Sequence, residues 1–141
     1  MSGWLLEDLE FFQNKNCAID LCDINGMSQE LLLPRFEWAD VIYFGGGNTQ
    51  WLRHCIRNSG LEEHLMRLME TRVWIGVSAG ACVLMPTISN PVMDLAGETI
   101  EGYPADGLGL VDFQFVPHLS HADSKGFPEI TEKLSEEKAQ N

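Results

Sequence analysis

Val73-Trp74-Ile75-Gly76-Val77-Ser78-Ala79-Gly80-Ala81 joins a strand to a helix through a serine. Val73 to Val77 is a short run of β-branched and aromatic residues, the composition of a buried strand. Ala79 to Leu84 reads as the start of a helix. Between them Gly76-Val77-Ser78-Ala79-Gly80 matches G-x-S-x-G. A serine in that position sits on a sharp turn with its hydroxyl exposed. The turn crowds its neighbours, so it requires small residues, and Gly76, Gly80 and Ala81 meet that requirement. The amide of Ala79 lies near the helix N-terminus and can face a developing oxyanion. The pattern alone is equally compatible with a glycine-rich turn that holds a buried or capping serine.

A second motif has the same layout. Asp40-Val41-Ile42-Tyr43-Phe44 reads as a buried strand and runs into Gly45-Gly46-Gly47-Asn48-Thr49. A helix pattern follows, with Trp51, Leu52, Cys55 and Ile56 on one face and Asn48 or Thr49 as N-cap. Three glycines at the carboxyl end of a strand allow positive φ and a close approach of backbone to ligand. Open parallel sheets bind ligands at such ends. The Gly45–Gly47 amides are therefore candidates for the other half of an oxyanion hole. Phosphate binding is disfavoured, because no Gly-Lys-Ser/Thr follows and the spacing is not G-x-G-x-x-G. A plain tight turn is the alternative.

The third element, Val111-Asp112-Phe113-Gln114-Phe115-Val116-Pro117-His118, alternates like a strand until Pro117 stops it. A serine hydroxyl needs a nearby base, and imidazole suits neutral pH. His118 is the expected base. His121, three residues on, is left as base, supporting partner or surface. His54 and His64 fall in helix patterns and read as solvated.

Together these elements resemble the aspartyl dipeptidase (peptidase E) and cyanophycinase family of serine peptidases. The resemblance rests on Phe44-Gly45-Gly46-Gly47-Asn48-Thr49, on Gly76-Val77-Ser78-Ala79-Gly80-Ala81 and on Phe115-Val116-Pro117-His118, in that order and spacing. It implies a fold like the class I glutamine amidotransferases, with Ser78 as nucleophile and His118 as general base. It implies an oxyanion hole from Ala79 with Gly46 or Gly47, substrate contacts from Gly45 and Asn48, and neither metal nor cofactor. Amidotransferase-type relatives carry cysteine at this elbow; here it is serine, and Cys82 one turn later is expected in the core. Such enzymes begin with a strand that would precede Trp4 and continue into strands bearing a third, acidic catalytic residue. The chain thus looks like an incomplete version of the fold, shortened at both ends. Asp123, Glu129 and Glu132 lie downstream of His118 but match no motif.

Alternating helix and strand patterns predict an α/β fold: a three-layer αβα arrangement, flavodoxin-like, with a mainly parallel sheet. The helix patterns are Trp4–Gln13 with apolar Leu5, Leu6, Leu9 and Phe12, then Ser28–Phe36 with Pro34 near its end, and Thr49–Arg57. Ser59-Gly60-Leu61-Glu62 reads as a capping box opening the helix Gly60–Glu70, with Leu61, Leu65, Leu68 and Met69 inward and Glu63–Arg67 paired outside. Cys17–Asp23 reads as a further strand. Pro86–Gly109 reads as loops or a hairpin, and the charged tail from Thr131 as frayed. No linker or repeat divides residues 1–141, so one domain is expected.

The net charge of −12 argues against a nucleic-acid partner, because phosphates would be repelled. No apolar run is long enough to span a bilayer and no signal peptide is evident, so a cytoplasmic location without membrane contact is expected. Cys17, Cys22, Cys55 and Cys82 form no C-x-x-C pair and are expected as reduced thiols.

Three functions follow. The first is acyl transfer on small peptides, with Ser78 attacking and His118 carrying the proton. The second is an α/β-hydrolase esterase with its acid among Asp94, Asp106 and Asp112. Its weakness is that only 39 residues separate Ser78 from His118. The third is a non-enzymatic remnant acting through an interface, with open sheet edges favouring a homo-oligomer.

Overall fold

A pair of parallel strands, Val41–Phe44 (β1) and Val73–Gly76 (β2), lies at the centre, in the register Val41 to Val73 through Phe44 to Gly76. The computed structural model describes residues 3–88 and 99–114. The helices are Gly3–Asn14 (α1), Gln29–Trp38 (α2), Thr49–Asn58 (α3), Glu62–Met69 (α4) and the single turn Ala79–Cys82 (α5). The expected α/β class with a parallel sheet is found.

Side chains alternate across a strand, and this assigns the layers. Ile42 and Phe44 point to one face, where they form a core with Leu32 and Phe36 of α2, Ile56 of α3, and Leu61, Leu65 and Leu68. Burying each such side chain is worth about 1.5–3 kcal/mol. Trp74, level with Ile42, stacks on Phe44 at 4.5 Å between ring centroids. Tyr43 points the other way, meets Phe12 of α1 edge-on and donates a hydrogen bond to Asp8. Burial, together with that carboxylate, pushes the Tyr43 phenol up to about 12. Helices thus cover both faces.

Some local expectations change. Residues 17–23 form no strand, and Ile19 and Leu21 are exposed. Alternation makes a strand only where a ladder partner accepts its backbone, and this segment has no main-chain hydrogen bond among the described residues at positions 18–22. Residues 111–114 are not a strand either: the amides of Leu110 and Val111 both bond to the Leu84 carbonyl, behind α5, and this holds the segment there. Residues 115–118 lie outside the described residues.

The capping box does not form. Ser59 caps the end of α3 and bonds to the Ile56 carbonyl, and α4 starts after Leu61. Glu62 goes instead to Arg53, whose side chain is 2 % exposed, with N–O distances of 2.7 and 2.8 Å. Arg53 also reaches Asp106 at 3.0 Å and the Gly107 carbonyl at 3.2 Å. A buried guanidinium must be paired, and this demand outweighs a cap. Nor does Arg67 pair with Glu63; it bonds to Glu37 at 2.6 Å.

Arg53→Ala should cost about 2–5 kcal/mol, since it empties a buried site and breaks the bonds to Glu62, Asp106 and the Gly107 carbonyl, and the thermal midpoint checks this. The Arg53 hydrogen bonds hold the Glu62 carboxyl below its usual range. A depressed carboxyl stabilises the fold above its unfolded value and loses that contribution as pH falls through the folded value. Stability should therefore drop as pH is lowered from about 4, and less steeply in Glu62→Gln. A melting series from pH 6 to about 2 tests this.

Candidate active site

β2 ends at Gly76, and the chain turns at Ser78 into α5. Ser78 has φ 51° and ψ −111°, one of two non-glycine residues with positive φ among those described. Such a conformation costs about 1–3 kcal/mol and is held only by its surroundings. The surroundings are visible in the two motif glycines. A Cβ on Gly76 would lie 2.3 Å from the Gly80 carbonyl oxygen, and one on Gly80 would lie 2.0 Å from that of Phe44. Gly80 donates its amide to the Gly45 carbonyl at 3.1 Å, and its own carbonyl accepts from Trp74 Nε1 at 3.0 Å. The serine hydroxyl does not cap α5.

β1 ends in the glycine loop, and its three glycines face different ways. A Cβ on Gly45 would strike the Trp4 ring of α1 at 2.9 Å. One on Gly46 would lie 3.6 Å from the Ser78 Cβ, so Gly46 borders the serine directly. Gly47 has φ 141° with nothing near its missing side chain. Asn48 caps α3 by accepting from the Trp51 amide at 2.9 Å.

The amides of Gly80, Ala81 and Cys82 have main-chain acceptors in the turn. Those of Gly46, Gly47 and Ala79 have none among the described residues, although Ala79 is buried. A buried N–H without an acceptor is rare and calls for a ligand, water or functional account. The structure therefore brings Ser78, Gly46, Gly47 and Ala79 to one sheet edge, with Gly45 turned to α1 and Asn48 at the head of α3. His118 and His121 lie outside the described residues, as do Asp94, Asp123, Glu129 and Glu132.

Of the acids weighed for an esterase, Asp106 is tied to Arg53 and Arg57, and Asp112 is exposed. His64 sits half-buried against Gln29, and His54 stacks on Trp51 with Tyr103 beside it. Sequence reading missed that aromatic cluster, because Tyr103 comes from a distant loop and no local spacing announces it. Cys82 is in the core as expected, Cys55 is buried too, and none of the four cysteines is in a disulfide. Among the described residues no group of His, Cys, Asp and Glu could hold a metal, and no helix is long and apolar enough to cross a membrane.

The fold has counterparts among known proteins. A solved structure from Listeria monocytogenes EGD-e, assigned to peptidase E, superposes with a TM-score of 0.80 at 25 % identity, over 97 % of this chain and 67 % of that one. An uncharacterized peptidase of Listeria monocytogenes is 33 % identical over 123 residues, covering 86 % of this chain and 58 % of the relative. Peptidase E of a Nostoc species is 33 % identical over 114 residues, covering 79 % of this chain and 43 % of its own length. The chain thus spans about half the length of the curated relatives it matches. The family model for peptidase family S51 matches residues 4–141. The chain belongs to peptidase family S51.

Proposed function

We propose that this chain hydrolyses small peptides, including Asp-containing dipeptides, by acyl transfer through Ser78. One observation carries the reading: a strained serine at a strand-to-helix turn, packed against Gly46, with amides at Ala79, Gly46 and Gly47 that have no main-chain acceptor among the described residues. Ser78 Oγ attacks the peptide carbonyl as its proton passes to His118. The carbonyl oxygen becomes an anion, held by the Ala79 amide and that of Gly46 or Gly47. The C–N bond then breaks, the proton goes to the leaving amine, and an acyl-serine remains. Water, deprotonated by the same imidazole, hydrolyses the ester and restores Ser78. His118 is assigned by its place in the sequence motif, and the preference for acidic residues by resemblance to aspartyl dipeptidases.

The test compares wild type with two histidine variants on an Asp-containing dipeptide and on a p-nitrophenyl ester. His118→Ala should lower peptide turnover at least about 10³-fold. His54→Ala should change it little, because His54 packs on Trp51 and Tyr103. Equal losses in both variants, or ester cleavage without peptide cleavage, would reject the assignment.

A further inference from the structure

We propose that Trp74 is a positioning residue for the Ser78 elbow: its indole N–H fixes Gly80, and with it the backbone that aims Ser78 and the Ala79 amide. The single turn α5 leaves one carbonyl without a helical donor. In a continuing helix the Leu84 amide would bond to Gly80; here it goes to the Ala81 carbonyl at 3.1 Å. No main-chain amide meets the Gly80 carbonyl among the described residues. Gly80 is buried, and a buried carbonyl has to find a donor. Trp74 Nε1 supplies it at 3.0 Å.

The donor is itself anchored away from the elbow. Trp74 belongs to β2, and its ring stacks on Phe44 of β1 with centroids 4.5 Å and planes 17° apart. A side chain locked across both strands therefore reaches over to hold the turn. The other side of Gly80 is fixed by main chain: its amide donates to the Gly45 carbonyl at 3.1 Å and to the Val77 carbonyl at 3.0 Å. The amide bonds set where the elbow sits on the sheet, and the indole bond sets how it is rotated there.

Strain makes that rotation matter. Ser78, at φ 51°, relaxes unless its surroundings hold it. Only Ala79 separates it from Gly80. A relaxing φ at Ser78 turns the peptide that carries the Ala79 amide, and a Gly80 pinned at both its amide and its carbonyl opposes that turn. Small displacements of reacting groups are costly, about 10²-fold for 1 Å. The consequence for turnover rests on the reading of Ser78 as nucleophile; the brace on the backbone does not.

The test replaces Trp74 in the full chain by benzothienylalanine, in which sulfur takes the place of the indole N–H and the ring keeps its size. Trp74→Phe is the simpler companion and also removes ring area, so the isostere decides if Trp74→Phe fails to fold. Amide exchange at Gly80 and Ala81 should quicken about tenfold with the isostere. The Val73 and Val77 amides, which bond across to Asp40 and Phe44, should keep their wild-type rates. On an Asp-containing dipeptide kcat should fall about tenfold with KM within about twofold, the mark of a transition-state effect. Unchanged exchange at Gly80 in the isostere overturns the proposal, as does equal quickening at Val73 and Val77, which means general loosening. So does a rise in KM at constant kcat. A wild-type chain without activity, together with the expected exchange pattern, supports the brace and refutes the nucleophile, so the two failures are told apart.

Discussion

Ser78→Ala should reduce peptide hydrolysis by at least about 10³-fold while leaving the thermal midpoint nearly unchanged, since removing the nucleophile of a serine triad costs that much or more. Alanine keeps the Cβ, so it inherits the same backbone strain at φ 51°. Ser78→Gly separates the two contributions. It removes the nucleophile as completely, but glycine is at ease at positive φ. Of the strain of about 1–3 kcal/mol, part returns as stability after the entropy cost of glycine, about 0.5–1 kcal/mol. Ser78→Gly should therefore be as inactive as Ser78→Ala and melt higher. Calorimetry alongside a peptide assay checks both. Equal melting of the two variants would mean that the turn stores no strain.

Gly80→Ala should have a large effect on folding. Its Cβ would lie 2.0 Å from the Phe44 carbonyl oxygen and 2.8 Å from the Phe44 Cβ. Both are parts of the core strand, so the neighbour cannot swing away as a flexible side chain would. Either α5 leaves β1, breaking the Gly80 to Gly45 hydrogen bond, or the sheet distorts. A loss above about 4 kcal/mol is expected, enough to leave much of the chain unfolded at ordinary temperature. Gly46→Ala is the counterpart. Its Cβ meets Ser78 at an ordinary 3.6 Å, so stability should hold within about 1 kcal/mol. Activity should fall, because the methyl group intrudes on the ground beside the nucleophile. Urea unfolding separates the pair, and similar stabilities for both would contradict the packing described.

The contrast between these glycines shows what a sequence exposes. β1, β2 and the turns after them were legible because each is a local matter: a short apolar run, then glycines where the backbone must turn or touch its neighbour. Gly76 and Gly80 were readable as small residues around Ser78 for that reason. The division of labour among Gly45, Gly46 and Gly47 was not, since it depends on Trp4 from one direction and Ser78 from another. Residues 17–23 look like a strand by alternation, yet strand formation requires a ladder, and the local pattern cannot say whether one is offered. Ser59 and Glu62 have the spacing of a capping box, but the spacing takes no account of Arg53, which lies on the preceding helix and is sealed from water. In the site, the elbow and the glycine loop converge as the two motifs suggest. The Asn48 cap on α3 follows from the sequence as expected, whereas nothing in either motif indicates that Trp51, His54 and Tyr103 gather beside it.

Whether Ser78 is an activated nucleophile is answered most directly by reaction with a fluorophosphonate probe, with the adduct located by peptide mass spectrometry. The hydroxyl of an unactivated serine does not react at a useful rate, whereas one with a base and an oxyanion hole does. The prediction is a single adduct on the peptide containing Ser78, absent after heat unfolding and absent in Ser78→Ala. A folded chain that takes up no probe, or takes it up at a different residue, would contradict the account.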